Sequence, residues 1–218
     1  MDKPKLMPEA TRPASRDMRI AGVVLAGGQS LRMGGADKCL LPLHGKPILA
    51  HVIERLAPQV GSMVLSANGD ITRFADFGLP VVRDSIDGFA GPLAGALAGM
   101  EHAARLGYSH IVTVAADSPY FPSRLVLGLQ FGCEASSARL AMAHSPREGG
   151  GYFRQPTFAL YDVTLRGDLR RALQAGVRKV IQWAEPLGCA GVVFEGFGPD
   201  PFFNINTPQD LAQAKARE

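Results

Sequence analysis

The sequence predicts a three-layer α/β/α domain built on a mostly parallel sheet. Short apolar, β-branched runs alternate with helix-spaced segments from residue 19 onward, the pattern of a parallel sheet covered on both faces. A length of 218 residues suits one such domain better than two. Hydrophobic residues make up 46% and charged residues 20%, enough for a core and ordinary for a folded chain.

Residues 1–17, MDKPKLMPEATRPASRD, are polar and carry no apolar core of a signal peptide. They are expected to form a disordered N-terminal extension, and residues 18–218 a single domain. Met18 can serve as an alternative start. Arg19 to Leu25 (RIAGVVL) is the first strand. After a long glycine-rich segment, Ile48, Leu49, Val52, Ile53 and Leu56 recur at helical spacing, with Pro47 placed in the first turn. Ser62 to Ser66 is a second strand and Leu79 to Val82 a third. The segment GFAGPLAGALAGMEHAARLG reads as a helix whose small residues allow close packing on the sheet. His110 to Ala115 (HIVTVA) is a buried strand.

Beyond it, a helix after Pro122 and a strand at Leu140 to Ala143 precede Gly149-Gly150-Gly151, read as a flexible loop. Gln155 to Tyr161 is a strand, Asp162 to Ala175 and Val177 to Trp183 are helices, and Gly191 to Phe194 is a last strand. Thr207, Pro208 and Asp210 open the C-terminal helix with a capping-box-like start.

The net charge of +3 is spread without a basic stripe interleaved with aromatics, so nucleic acid is excluded as a default partner. Cys39, Cys133 and Cys189 are odd in number and lack CxxC spacing. They argue against a zinc site or disulfide framework and for a reducing, cytoplasmic setting. No apolar stretch is long enough to span a membrane. The five histidines show no ligand spacing and read as surface or edge residues. Trp183 reads as core.

An open parallel sheet binds ligands at the carboxyl ends of its strands. The first such end reads Leu25-Ala26-Gly27-Gly28-Gln29-Ser30-Leu31-Arg32-Met33-Gly34-Gly35-Ala36-Asp37-Lys38. Glycines let backbone N–H groups approach an anion, Arg32 offers a planar fork for phosphate oxygens, and Lys38 a compact charge. A P-loop is excluded because Gly45-Lys46 is followed by Pro47, and the GxGxxG fingerprint is absent. Two basic groups on a long loop suit a triphosphate. Asp117 lies directly after the buried strand, where it can either reach a magnesium ion on phosphates or cap the next helix. Asn204 and Asn206, in FFNINTP, can touch a metal or a second substrate's phosphate, or simply make a turn.

LAGGQSLRMGGADK resembles the phosphate-loop signature of the molybdenum cofactor guanylyltransferases and their near relatives. GPLAGALAGM, AADSPYFP and FFNINTPQDL agree, so the resemblance runs from about residue 19 to about residue 215. It implies a Rossmann-like nucleotide-diphospho-sugar transferase fold. It also implies transfer of GMP from GTP to molybdopterin, with release of pyrophosphate and formation of the guanine dinucleotide cofactor. Carried onto this chain, it makes Arg32, Lys38 and Asp117 the catalytic groups. Leu25, Ala26, Gly27, Gly28, Lys38, Asn68, Asp84 and Asp117 would hold GTP. Asp117, assisted by Asn206, would hold Mg2+. From their position alone, Asn204 and Asn206 are also the candidates for meeting the pterin. Ala116 stands where the family often has Cys, a difference expected to affect packing.

GTP and molybdopterin are the expected partners, together with transient contacts to molybdenum-insertion proteins or apo-molybdoenzymes. A monomer is expected. LAGG, where cytidylyl relatives tend to carry LAAG, favours GTP over CTP. Sugar-phosphate nucleotidyl transfer and a non-catalytic pterin carrier are the alternatives.

Overall fold

A computed structural model of the chain describes residues 18–27, 37–86, 91–196 and 200–217. The expected disorder of residues 1–17 lies outside the described residues, as do Gly28 and Arg32. Seven strands form the main sheet: β1 (Ile20–Leu25), β4 (Ser62–Ser66), β5 (Val81–Val82), β6 (His110–Ala115), β7 (Leu140–Pro146), β8 (Tyr152–Asp162) and β9 (Ala190–Val193). The order across the sheet is β5-β4-β1-β6-β8-β7-β9. A small antiparallel pair, β2 (Pro42–Leu43) with β3 (Lys46–Pro47), stands apart.

β1 pairs in parallel with both β4 and β6, and its central Val23 is fully buried opposite Val64 and Thr113. Alternate side chains serve opposite faces, as the two-residue period of a strand requires. Ile20, Val24, Val112 and Val114 join one core with α1 (Ile48–Leu56) and α3 (Leu125–Ser136). Ala21, Val23 and Ile111 join the other with α2 (Pro92–Arg105), α4 (Arg166–Gln174) and α5 (Val180–Ala184). The three-layer α/β/α architecture is therefore as expected. Trp183 is buried in the second core and donates Nε1–H to Asp168 at 2.9 Å.

α2 lies against β1 and β4 at a distance that excludes side chains. A Cβ on Gly95 would fall 2.5 Å from Ser66 Oγ, and one on Gly99 2.5 Å from Val23 Cγ2. A third, small cluster of Leu43, Ile48, Ile205 and Ala214 ties α6 (Pro208–Lys215) to the β2–β3 pair.

Several boundaries differ from the sequence reading. Pro47 precedes α1 rather than opening it. Its ψ of 146° is extended, and it pairs with Pro42. Asp162 ends β8 instead of starting a helix. Its carboxylate accepts from Thr164 N at 2.8 Å and turns the chain into α4. Residues 177–179 are not helical, because Gly176 (φ 92°) and the extended Lys179 delay α5 to Val180.

β8 is antiparallel to both neighbours, and Gly149-Gly150-Gly151 is the turn of the β7–β8 hairpin. All three glycines have φ between 82° and 101°, a region that side chains disfavour. His110 is buried, not a surface residue, because it opens a strand that is buried along its whole length.

Candidate nucleotide-binding site

The carboxyl ends of β1, β4, β5 and β6 converge on a cleft of about 260 Å³. Its lining brings together residues that are far apart in sequence: Leu25, Ala26 and Gly27 after β1, Asn68 after β4, Asp84 after β5 and Asp117 after β6. Sheet-like hydrogen bonds continue past the strand ends and hold these exits in register. Ala26 N–H donates to Ser66 O at 2.9 Å, Ala67 to Val82 O at 3.0 Å and Ala116 to Leu25 O at 3.2 Å. Gly91 and Pro92, at the amino end of α2, complete one wall. A helix start is the positive end of the macrodipole and favours an anion there.

Lys38 and Asp117 meet across the cleft. The Lys38 ammonium donates to Asp117 Oδ2 at 3.1 Å and to Asn206 Oδ1 at 2.6 Å. The two charged side chains are only 20% and 23% exposed, so each is partly shielded from water. Asn206 is delivered by a backbone bond from Ile205 N–H to Asp117 O at 2.9 Å. The start of α6 fixes it further: Asn206 N–H donates to Asp210 Oδ2 at 2.9 Å, and Thr207 and Asp210 form a full capping box. The predicted cap thus also positions a site residue.

Asn204 faces elsewhere. Its side-chain oxygen accepts from Ser118 Oγ, and it lines a second cavity of about 860 Å³ with Arg147, Arg154, Gln155, Phe194 and Phe202. Arg154 is held by Glu185 at 2.6 Å, and Gln155 donates to Ser145 Oγ at 3.0 Å.

Asn68 and Asp84 form a reciprocal pair at the far end of the first cleft. Asn68 Nδ2 donates to Asp84 Oδ2 at 2.8 Å, and Asp84 N–H donates to Asn68 Oδ1 at 3.1 Å. Neither is a free turn residue. Partial burial pushes the Asp84 carboxyl above its ordinary range, and the Asn68 hydrogen bond offsets part of that rise.

Residues that the sequence reading passed over also shape this edge. Asp37 accepts from Arg73 Nε at 2.7 Å, and Arg73 also donates to Asn68 O at 3.1 Å and to Asp70 O. One guanidinium therefore ties the stem of the Lys38 segment to the Asn68 turn. A lone arginine in a short turn carries no pattern that reveals this. Ser66 and Thr157 line the cleft as well. Thr157 enters from the reversed strand β8, whose direction the sequence reading left open. Cys39 lines the cleft, but burial holds its thiol far above its usual value, which leaves no thiolate to attack a substrate.

Among the described residues no group of three or more His, Cys, Asp or Glu side chains could hold a metal ion. One carboxylate with one neighbouring amide is a poor cage. It fits a hard cation that takes most of its oxygens from phosphates and water, as magnesium does. The Lys38 ammonium already stands between those two oxygen donors, so a cation is electrostatically suited to that spot.

A family model for MobA-like NTP transferase domains matches residues 22–187. Molybdenum cofactor guanylyltransferase of Bradyrhizobium sp. (strain ORS 278) is 45% identical over 205 residues, covering 93% of this chain and 94% of that protein. The enzyme of the same name from Mesorhizobium japonicum is 46% identical over 89% of this chain and 94% of its own length. In fold, the chain is similar to molybdopterin-guanine dinucleotide biosynthesis protein A from Archaeoglobus fulgidus. That TM-score is 0.71, with 24% identity over 90% of this chain and 97% of that one. It also resembles 4-diphosphocytidyl-2C-methyl-D-erythritol synthase from Anaerococcus prevotii, with a TM-score of 0.69 and 14% identity over 90% and 94%. With a family model matching most of its length and relatives aligned almost end to end, the chain belongs to the family of MobA-like NTP transferase domains.

Proposed function

We infer that this chain is a molybdenum cofactor guanylyltransferase that transfers GMP from GTP to molybdopterin and releases pyrophosphate. The observation that carries this reading is the meeting of Lys38, Asp117 and Asn206 at the same sheet edge as the Asn68–Asp84 pair. The first trio suits phosphates and a cation, and the pair suits a base.

The reaction is an in-line displacement. A terminal phosphate oxygen of the pterin forms a bond to the α-phosphorus of GTP, and the bond to the bridging oxygen breaks with loss of pyrophosphate. The attacking phosphate is already anionic, so no protein nucleophile is required, and catalysis reduces to positioning and charge neutralisation. Lys38 turns from Asp117 to the triphosphate oxygens, and the amino end of α2 faces them from the opposite wall. Arg32 and Gly28, from the same loop, are assigned to the phosphates by the family resemblance. Magnesium, held by Asp117 and the triphosphate with Asn206 beside it, would neutralise charge on the α-phosphate and the departing pyrophosphate.

Base choice follows from the Asn68–Asp84 pair. Asn68 fixes one carboxylate oxygen and leaves acceptor sites on Asp84. Guanine offers N1–H and N2–H₂ side by side, two donors for those sites. Cytosine offers one amino donor beside an acceptor nitrogen, so the carboxylate would face a lone pair. An unpaired, partly buried acceptor costs about 1–3 kcal/mol. The second cavity, with Asn204, Arg147 and Arg154 on its walls, is assigned to the phosphorylated pterin, and Asn206 lies between the two sites.

No described helix is long and apolar enough to cross a membrane. A cytoplasmic enzyme that hands its product to molybdenum-insertion proteins or apo-molybdoenzymes is consistent with that observation.

Calorimetric titration with GTP and with CTP, each with and without magnesium, tests the reading. GTP is expected to bind at least about tenfold more tightly than CTP, the equivalent of ~1.4 kcal/mol. Magnesium is expected to tighten GTP binding in the native chain and not in Asp117→Asn. Preference for CTP, or no pyrophosphate release with molybdopterin present, overturns it.

A further inference from the structure

α3 carries a stripe that the fold leaves uncovered. Leu127 and Phe131 are 61% and 70% exposed, the two most exposed large apolar side chains among the described residues. They lie one helical turn apart on the same face. The inner face of α3 is fully committed to the sheet: a Cβ on Gly128 would meet the Phe194 ring at 2.8 Å, and one on Gly132 would meet Val192 at 2.3 Å.

Arg124, just before the helix, and Glu134, in its last turn, extend the outer stripe at both ends. Both are exposed, and neither takes part in an ion pair among the described residues. Their placement opposes the helix macrodipole, which favours acidic groups at the amino end and basic groups at the carboxyl end. Stability of an isolated α3 does not account for them.

The order Arg124, Leu127, Phe131, Glu134 has spacings of three, four and three, which keeps all four on one side of the helix. The same order is its own complement when read against an antiparallel copy. Arg124 then faces Glu134, and Leu127 faces Phe131, twice over about one two-fold axis. A two-fold interface requires this self-matching of one surface patch.

We propose that the outer face of α3 is an interface between two copies of this chain, in which antiparallel α3 helices pack Leu127 on Phe131 and pair Arg124 with Glu134. A single helix face buries less area than a standard interface, so the dimer is weak and transient. The expected monomer is then the dilute form. α3 contributes no residue to the nucleotide cleft, so turnover per chain is unchanged by association.

Sedimentation velocity of the full chain, from about 1 to about 300 µM, reads the association directly. The chain is expected to shift from monomer to dimer across that range, and Phe131→Arg to remain monomeric. Arg124→Glu and Glu134→Arg each place like charges opposite one another and raise the dissociation constant by about tenfold. An equimolar mixture of these two variants restores both opposite-charge pairs and must recover association. A chain that stays monomeric throughout, or a dimer indifferent to Phe131→Arg and to the mixture, overturns the proposal. Association that appears only after residues 1–17 are removed also overturns it, since those residues would then be the native cover of the face.

Discussion

Replacing Lys38 with alanine separates catalysis from stability at one residue. Its ion pair with Asp117 keeps some contact with water and is worth about 1 kcal/mol to folding, between an exposed pair and a buried one. Its charge on the triphosphate is worth far more in the transition state. Lys38→Ala is expected to lower kcat/KM for pyrophosphate release by about 10²- to 10³-fold while moving the urea midpoint little.

Asp84 gives a second separable signal. Partial burial lifts its carboxyl above the usual 3.8. In the proposed complex the ionised form accepts from guanine, so GTP affinity is expected to be full at neutral pH and to fall as pH drops through the raised value. That loss begins at a higher pH than for an exposed aspartate. Titrations across a pH series are expected to show it in the native chain and not in Asp84→Asn. At this scale the sequence was informative about identity and silent about pairing. Lys38, Asp84 and Asp117 each sit at a strand exit or in a recognisable string. The bond from Lys38 to Asp117 spans 79 positions, and no local pattern encodes it. Gly28 and Arg32 lie outside the described residues.

Elements show where local chemistry decides and where it does not. The α6 capping box was legible because its residues are adjacent and its hydrogen bonds are local. The β7–β8 hairpin was not. Ser145, Pro146 and the charged pair Arg147-Glu148 look like a break, yet Pro146 pairs with Tyr152 at the hairpin end. A register shift between Met142 and Ala143 also breaks the alternation that reveals a strand. The close approach of α2 was legible in its small residues and yields a sharp expectation. A methyl on Gly99 would sit 2.5 Å from Val23, a buried and branched side chain with no room to retreat. Gly99→Ala is expected to destabilise the fold by about 1–3 kcal/mol, read from chemical unfolding, with wild-type nucleotide affinity in the folded fraction.

Across the whole molecule the cleft is assembled from four strand exits, one helix start and Thr157 of β8, so a nucleotide bound there would touch elements from residue 25 to residue 157. Ligand binding should therefore stabilise the fold as a unit. With GTP and magnesium at about one hundred times the dissociation constant, the gain is about 2.7 kcal/mol, visible as a rise in Tm. Asp117→Asn is expected to lose the magnesium-dependent part of that rise. Strand–helix alternation made the layers legible in the sequence. It could not report the direction of β8, because direction depends on how a connection travels and not on the strand's own residues.

That one reversed strand divides the labour of the molecule. On one side of it, the ends of β5, β4, β1 and β6 form the cleft proposed for the donor nucleotide. On the other, the hairpin tip and the chain leaving β9 wall the second cavity. The hairpin joins the remainder through a seam of backbone bonds, so its tip can be lengthened or recoloured without disturbing Lys38 and Asp117. A protein divided in this way can retire one acceptor and recruit another while keeping its chemistry intact.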